Sequence, residues 1–406
     1  MDFTPTEEQR AASGLAAEIF ADRSTPDRLA ALGTAADTEL WKALCAAGLP
    51  GAVEDIGLLG LVLLLEEQGR TTAQVPLAAT AAYGLLAVAA HGTDEQRARL
   101  LPGLREGSEV ATGAFVRGGG GAAVRAASAG RRGAPGRGRR RARARLTGAV
   151  PVVPWLCEAT LLLVPDADRR LWLVRAGDPG VGIEPVATTA PWSAGRLTLD
   201  GAWAEPLGDD AGPLQNEAGP EPSDDVLKRY DGDVTPHDEA VTPYDDVLAR
   251  PDETVTPYDD VRATARTAFA GLQAGVCAGA LARAVSHASM REQFGRPLST
   301  NQAVLLRAAD AYMDTEAIRV TAYEAAWRRD EGLDAGSHAL TAAWWASEAG
   351  KRVVHAGQHL HGGIGADVEH PVHRHFLWGR QLDAYLGSGA QLLEELGELI
   401  AKETAA

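Results

Sequence analysis

Arg291-Glu-Gln-Phe-Gly-Arg-Pro297 and, further on, His361-Gly-Gly-Ile-Gly365 running to Pro371 are the stretches on which the reading of this chain turns. The first closes a long helical segment and opens a turn. Arg291 offers a planar, bidentate donor fork suited to phosphate, and Phe294 a surface for stacking. The bland reading has equal weight by chemistry alone: an arginine satisfying helix-end carbonyls, beside a core phenylalanine. The glycines follow a second helix. They let a backbone approach a ligand closely, or simply cap that helix with a Schellman turn. Six of the ten histidines cluster here: His355, His359, His361, His370, His373 and His375. His355 and His359 share a helical face, but there is no HExxH pattern, and the carboxylate adjoining the cluster is Glu369, beside His370. No metal site is assigned, and these histidines are expected to line a polar interface or a cofactor pocket. Trp327, Trp344 and Trp345 sit among alanines at helical spacing and read as packing residues.

Working outward, apolar residues recur at three- and four-residue spacing over 7–20, 37–47 and 58–67. Thr93 followed by Gln96 is an N-cap signature for a further helix that should stop near Pro102-Gly103. Between them and the later helices the pattern shortens to β-rich runs at 111–116, 159–164, 171–175 and 196–199. From Arg262 onward helical periodicity returns. Helices, then strands, then helices imply an α+β chain with segregated domains. The expected divisions are an N-terminal helical domain (1–110), a central β-domain (111–208), an acidic linker (209–260) and a C-terminal helical bundle (261–406).

Two stretches stand apart. Residues 117–145 hold ten arginines and no carboxylate. A nucleic-acid arm, a solvated loop and an out-of-frame reading of a GC-rich gene are all open, though no aromatics interleave to stack on bases. Residues 209–260 hold sixteen acidic and three basic residues and repeat Val-Thr-Pro-(His/Tyr)-Asp-(Glu/Asp) from Val234, Val241 and Val255. Pro236, Pro243 and Pro257 oppose a continuous helix, and no Gly-containing calcium loop is present, so an exposed flexible insertion is expected. The whole chain of 406 residues carries −16, which disfavours nonspecific nucleic-acid binding. Its apolar runs reach ten residues, against about 20 for a bilayer span. Three scattered cysteines fit a reducing compartment. No membrane or nucleic-acid partner and a cytoplasmic location are therefore expected.

Four blocks together resemble the acyl-CoA dehydrogenase family: Leu64-Leu-Glu-Glu-Gln-Gly-Arg70 with Val75-Pro-Leu77, Leu146-Thr-Gly148, and the two stretches quoted first. The resemblance covers about three quarters of the chain and fails in the two aberrant stretches. It implies an N-terminal helical domain, a central β-domain and a C-terminal four-helix bundle, with FAD held between the β-domain and the bundle. A carboxylate removes the α-proton of an acyl-CoA thioester while the β-hydrogen passes as hydride to the flavin. On the matched motifs, Arg291 and Phe294 would meet the FAD of a neighbouring subunit near its pyrophosphate. Gly362 and Gly363 would lie close by, and His359 stands where the family usually has glutamine.

The departures narrow the reading. The usual glutamate position is Leu386, and a leucine cannot take a proton. The alternative base position on the bundle's first helix is Ala265, and no Asp or Glu lies between Val261 and Ser289. Asp259 and Asp260 are the nearest carboxylates, so no catalytic residue is assigned beyond those two weak candidates. The flavin-edge pattern after Leu146 is absent. Leu173 to Val181, Ala187-Thr-Thr189 and His370-Pro-Val-His-Arg374 resemble the non-catalytic partner subunit of heteromeric (α2β2) acyl-CoA dehydrogenases of steroid side-chain degradation. The expectation is an accessory subunit that completes the FAD site of a homologous catalytic subunit, which serves an acyl-CoA substrate and an electron-transfer acceptor. A self-sufficient homotetramer with a displaced base and a cofactor-free interaction protein on the same fold remain the alternatives.

Overall fold

The computed structural model describes residues 2–115, 124–128, 144–208 and 255–405. Most of the arginine-rich stretch and the acidic linker up to residue 254 lie outside the described residues.

The N-terminal helices are α1 (Glu7–Arg23), α2 (Pro26–Leu32), α3 (Thr38–Ala46), α4 (Leu49–Thr71), α5 (Leu77–Thr80), α6 (Ala87–His91) and α7 (Asp94–Glu106). Thr6 with Gln9, and Thr93 with Gln96, form reciprocal capping boxes at α1 and α7. Helix α7 does not stop at Pro102-Gly103. Pro102 forfeits one backbone bond, whereas Leu100, Leu101 and Leu104 bury on the same element, and left-handed Gly107 ends it instead. Helix α4 is kinked at Gly57, and a π-helical segment (Ala81–Leu86) joins α5 to α6.

The strands are β1 (Ala111–Gly113), β2 (Arg125–Ser128), β3 (Ala144–Pro154), β4 (Leu161–Pro165), β5 (Leu171–Arg175), β6 (Val181–Val186) and β7 (Ala194–Pro206). Their order is β1-β4-β5-β7-β3-β2, with β6 also on β7; only β1 and β4 run parallel. Strand period fixes how this sheet meets the helices. Leu161, Leu163, Leu171 and Leu173 join the helical core, whereas their neighbours Leu162, Val164, Trp172 and Val174 fill the β-core. One layer of side chains thus welds the sheet to the helices.

The C-terminal part holds α8 (Pro257–Met290), the hairpin β8 (Glu292–Gln293) and β9 (Arg296–Pro297), α9 (Gln302–Asp330), α10 (Gly336–His361), α11 (Pro371–Leu386) and α12 (Gly389–Ala405). The last copy of the acidic repeat is helical rather than a flexible insertion. Thr256 is the N-cap and Pro257 the first residue of α8, where a proline's missing N–H costs nothing. Helix α8 is long and apolar enough to cross a membrane, but it is the inner stave of the bundle, packed on α4, α9, α10 and α11. Its approach to α4 needs the absence of side chains: a Cβ on Gly275 would lie 2.1 Å from the Glu66 carbonyl oxygen, and one on Gly69 2.3 Å from that of Leu272.

Candidate functional site

Helix α8 ends in a two-residue hairpin turn. Phe294 (φ 55°) and Gly295 (φ 74°) both take positive φ, the geometry that matches the twist of the flanking strands. Phe294 is not a core residue: its side chain is 100% exposed. A bulky residue held in left-handed backbone with its ring in solvent fits a contact with something outside the chain. Arg291, the C-cap of α8, is also exposed, and among the described residues no carboxylate pairs with it.

At the end of α10, Gly362 (φ 67°) breaks the helix and leads into a 3-10 turn, Gly362–Ala366. The Gln358 side chain donates to the Gly365 carbonyl at 3.1 Å and staples the turn. Space beside Gly362 and Gly363 is open, with no atom within 4 Å of where a Cβ would stand. The two turns share one end of the bundle, because His287, one helical turn before Arg291, stacks on His361 at 4.7 Å. His359 is exposed on the last turn of α10. His355, also exposed, packs edge-on against Phe376 at 4.9 Å, and partial desolvation, then Arg380, lowers its pKa.

The candidate carboxylates are otherwise engaged. Asp259 lies in the first turn of α8, where its carboxylate accepts from the Thr256 hydroxyl at 2.6 Å. Asp260 meets His91 Nε2 at 2.7 Å and accepts from Arg329 at 3.0 and 3.1 Å. Burial opposes its ionisation, but the His91 and Arg329 contacts outweigh it and hold the carboxyl below the usual range. That is a poor environment for a proton acceptor. Leu386 closes α11, and Ala265 is buried in α8.

Sequence reasoning missed the surroundings of Tyr385, the residue before Leu386. A continuous column of rings occupies the junction of sheet and helices. Tyr258 stacks on Phe115, and Phe115 on Tyr83 at 5.2 Å. Tyr83 leads to Phe269, and Phe269 lies 4.5 Å from Tyr385. Tyr385 meets Trp192, which touches Trp155 and Trp378. The Tyr83 and Tyr385 hydroxyls bond to one another, and burial pushes the Tyr83 phenol up to about 12. These rings come from chain segments far apart in sequence, so no local pattern announces them.

The geometry tests how the chain fits a flavin dinucleotide. The exposed edge fits part of one: an unpaired guanidinium, an exposed ring and two open glycines suit a pyrophosphate with its attached nucleoside. The interdomain junction does not fit a planar tricyclic ring with a thioester beside it, because aromatic side chains fill it.

Family models for the acyl-CoA dehydrogenase N-terminal and C-terminal domains match residues 6–108 and 263–400. Over 100% of both chains, the sequence is 32% identical to acyl-CoA dehydrogenase FadE27 of Mycobacterium tuberculosis. The Tcur3481-Tcur3483 steroid ACAD superposes with a TM-score of 0.79 at 37% identity, covering 98% of this chain and 99% of that one. The ChsE4-ChsE5 complex from Mycobacterium tuberculosis gives 0.79 at 30% identity, covering 99% of each. Butyryl-CoA dehydrogenase from Megasphaera elsdenii, 20% identical, shares the fold with a TM-score of 0.77 over 99% of this chain and 100% of that one. The chain belongs to the acyl-CoA dehydrogenase family, whose members are FAD-dependent oxidoreductases.

Proposed function

We propose that this chain is the accessory subunit of a heteromeric, FAD-dependent acyl-CoA dehydrogenase and completes the cofactor site of a homologous catalytic subunit. The observation that carries this reading is the ring-filled junction around Tyr385. The chain offers no base at the adjoining Leu386 and fills the junction with rings, yet it keeps an outward-facing, cofactor-compatible edge. FAD, when bound, supplies the hydride acceptor for α,β-desaturation of the thioester. Arg291 would neutralise its pyrophosphate, Phe294 would cover its nucleoside, and Gly362 and Gly363 would let the backbone come close. His359 would donate or accept a hydrogen bond at the same edge. The proton acceptor would then come from the catalytic partner.

The surface of α9 supports a macromolecular partner. Leu305, Leu306, Tyr312, Met313 and Val320 recur along one helical face, and each is about half exposed or more. Such a stripe suits a second chain of the same fold, which agrees with the two-component names of the two structural relatives at 30% identity or more. One of those names specifies a steroid ACAD, so an acyl-CoA thioester on a steroid side chain is the proposed substrate class.

Isolation of this chain with and without a co-expressed homologous subunit tests the reading. FAD retained only in the two-chain complex is the expected result. FAD and acyl-CoA oxidation in the isolated chain would replace it with the homotetramer, and no FAD in either sample with a flavin-free interaction protein.

A further inference from the structure

A cationic pocket lies on the inner side of the Arg291 end of the bundle, and the FAD edge proposed above does not use it. Ala282, Arg283, Ser286, His287 and Met290 fall on one face of α8 at helical spacing. They face His361 at the end of α10 and His370 with Pro371 at the start of α11, around a cavity of about 400 Å³. His287 stacks on His361 at 4.7 Å, and His361 meets His370 edge-on at 4.9 Å.

Arg283 supplies the fixed positive charge there. Among the described residues no carboxylate pairs with Arg283 and no hydrogen bond reaches its guanidinium, although burial lowers its pKa. Burial first, and then the neighbouring cationic groups, lower the pKa of His287 and of His370. Asp367 acts in the opposite sense on His370, but it is the smallest contribution. Complementing a helix dipole does not account for this set. Dipole attraction suits His287 near the end of α8. It does not suit Arg283, about two turns from the end of α8, nor His370, which sits at the N-terminus of its own helix, where positive charge is disfavoured.

The tautomers point the same way. His370 Nδ1 accepts from the Val372 amide at 3.3 Å, so in the neutral ring Nε2 carries the hydrogen and is a donor. His361 Nδ1 faces the Gly357 carbonyl at 2.7 Å and therefore carries its hydrogen and donates to it. The Arg283 guanidinium, His370 Nε2–H and the Ser286 hydroxyl thus give this space its donors. The volume exceeds that of a bare oxyanion, and Ala282 and Met290 supply an apolar wall for an organic substituent.

We propose that the Arg283–His287–His361–His370 pocket binds a phosphate group, with Arg283 as its principal counter-ion and His370 Nε2 as a directional donor. Two sources share this chemistry: free inorganic phosphate and a phosphomonoester such as the 3′-phosphate of coenzyme A. The site is separate from the FAD edge, since the pyrophosphate of FAD carries no terminal phosphomonoester.

The test is calorimetric titration of the full chain, without flavin, with inorganic phosphate, coenzyme A and dephospho-coenzyme A. Saturable binding is expected, weakened about tenfold or more by Arg283→Gln. Arg283→Lys should retain part of it. His370→Asn should weaken binding while its side-chain oxygen keeps the helix cap, which guards against misreading an unfolded variant. Imidazole proton resonances should titrate at higher pH once phosphate is bound. Coenzyme A binding that disappears with the 3′-phosphate identifies the ester as the source. Binding of inorganic phosphate alone identifies the free ion. Absence of saturable binding by either probe, or binding unchanged in folded Arg283→Gln and His370→Asn chains, overturns the proposal.

Discussion

Single side chains decide between a catalytic and a structural role for the carboxylates of α8. Asp260→Asn would leave Arg329 and His91 without their shared anion in a mostly buried setting. A stability loss of about 2–3 kcal/mol is expected in chemical denaturation. The sign with pH follows from its lowered pKa: the contribution is complete above the unfolded carboxyl value and is lost as pH falls through the folded one. Full stability with loss of the complex's activity would instead make Asp260 the base. Arg291→Ala should have the opposite profile. The side chain is exposed and pairs with no carboxylate among the described residues, so the melting temperature should move little while the flavin-to-protein ratio of the complex falls about tenfold or more. Absorbance near about 450 nm, where oxidised flavins absorb, reads that ratio. At this scale the sequence singled out Arg291 and Phe294 by type and spacing but left open whether they face core or solvent. Phe294 shows why: only the positive-φ hairpin turn puts its ring outside, and that turn depends on strand pairing between Glu292–Gln293 and Arg296–Pro297.

At the scale of elements, the kink in α4 is a joint between distant parts of the chain. Gly57 adopts φ 70° and ψ −171°, a conformation open essentially to glycine alone. The amides of Leu58 and Leu59, freed by the kink, donate to the Asp330 carboxylate at 2.8 and 2.9 Å, so the end of α9 caps the restarted helix. A Cβ on Gly57 would stand 2.6 Å from that carboxylate. Gly57→Ala should therefore cost about 1–3 kcal/mol, measured by urea denaturation, and Asp330→Ala a similar amount. The periodicity over 58–67 announced the second half of α4. It did not announce the kink, because the group that satisfies it lies in another helix. The same reason hid the ring column, whose members converge only after sheet and bundle have packed. The exposed stripe on α9 makes a further prediction: Tyr312→Asp with Met313→Asp should abolish association with the homologous subunit, read by sedimentation, while leaving the chain's own melting temperature nearly unchanged.

For the whole molecule, assembly and acid sensitivity meet in the helical core. His375 is buried between α4 and α8, with its ring nitrogens 3.0 and 3.2 Å from the Arg70 and Pro371 carbonyl oxygens. Burial is the largest influence and pushes its pKa down to about 4. The unfolded chain then takes up this proton near pH 6.5 while the folded chain does not, so stability falls as pH drops from 6.5 toward 4. The full loss is about 3 kcal/mol. Denaturation at pH 8 and pH 5 should show most of it, and His375→Gln should flatten that slope. The order of helices, sheet and helices was legible in the sequence because each part has its own period. The start of α8 was not, since the acidic repeat that precedes Val261 concealed a helix whose first residue is a proline.

The accessory role stands or falls on one preparation: this chain co-expressed with a homologous acyl-CoA dehydrogenase subunit encoded beside it, fractionated by size, and assayed for flavin and acyl-CoA oxidation. The account predicts a yellow complex of two chain types, active only as the pair, in which Arg291→Ala strips the flavin. A yellow chain that oxidises acyl-CoA by itself would contradict it.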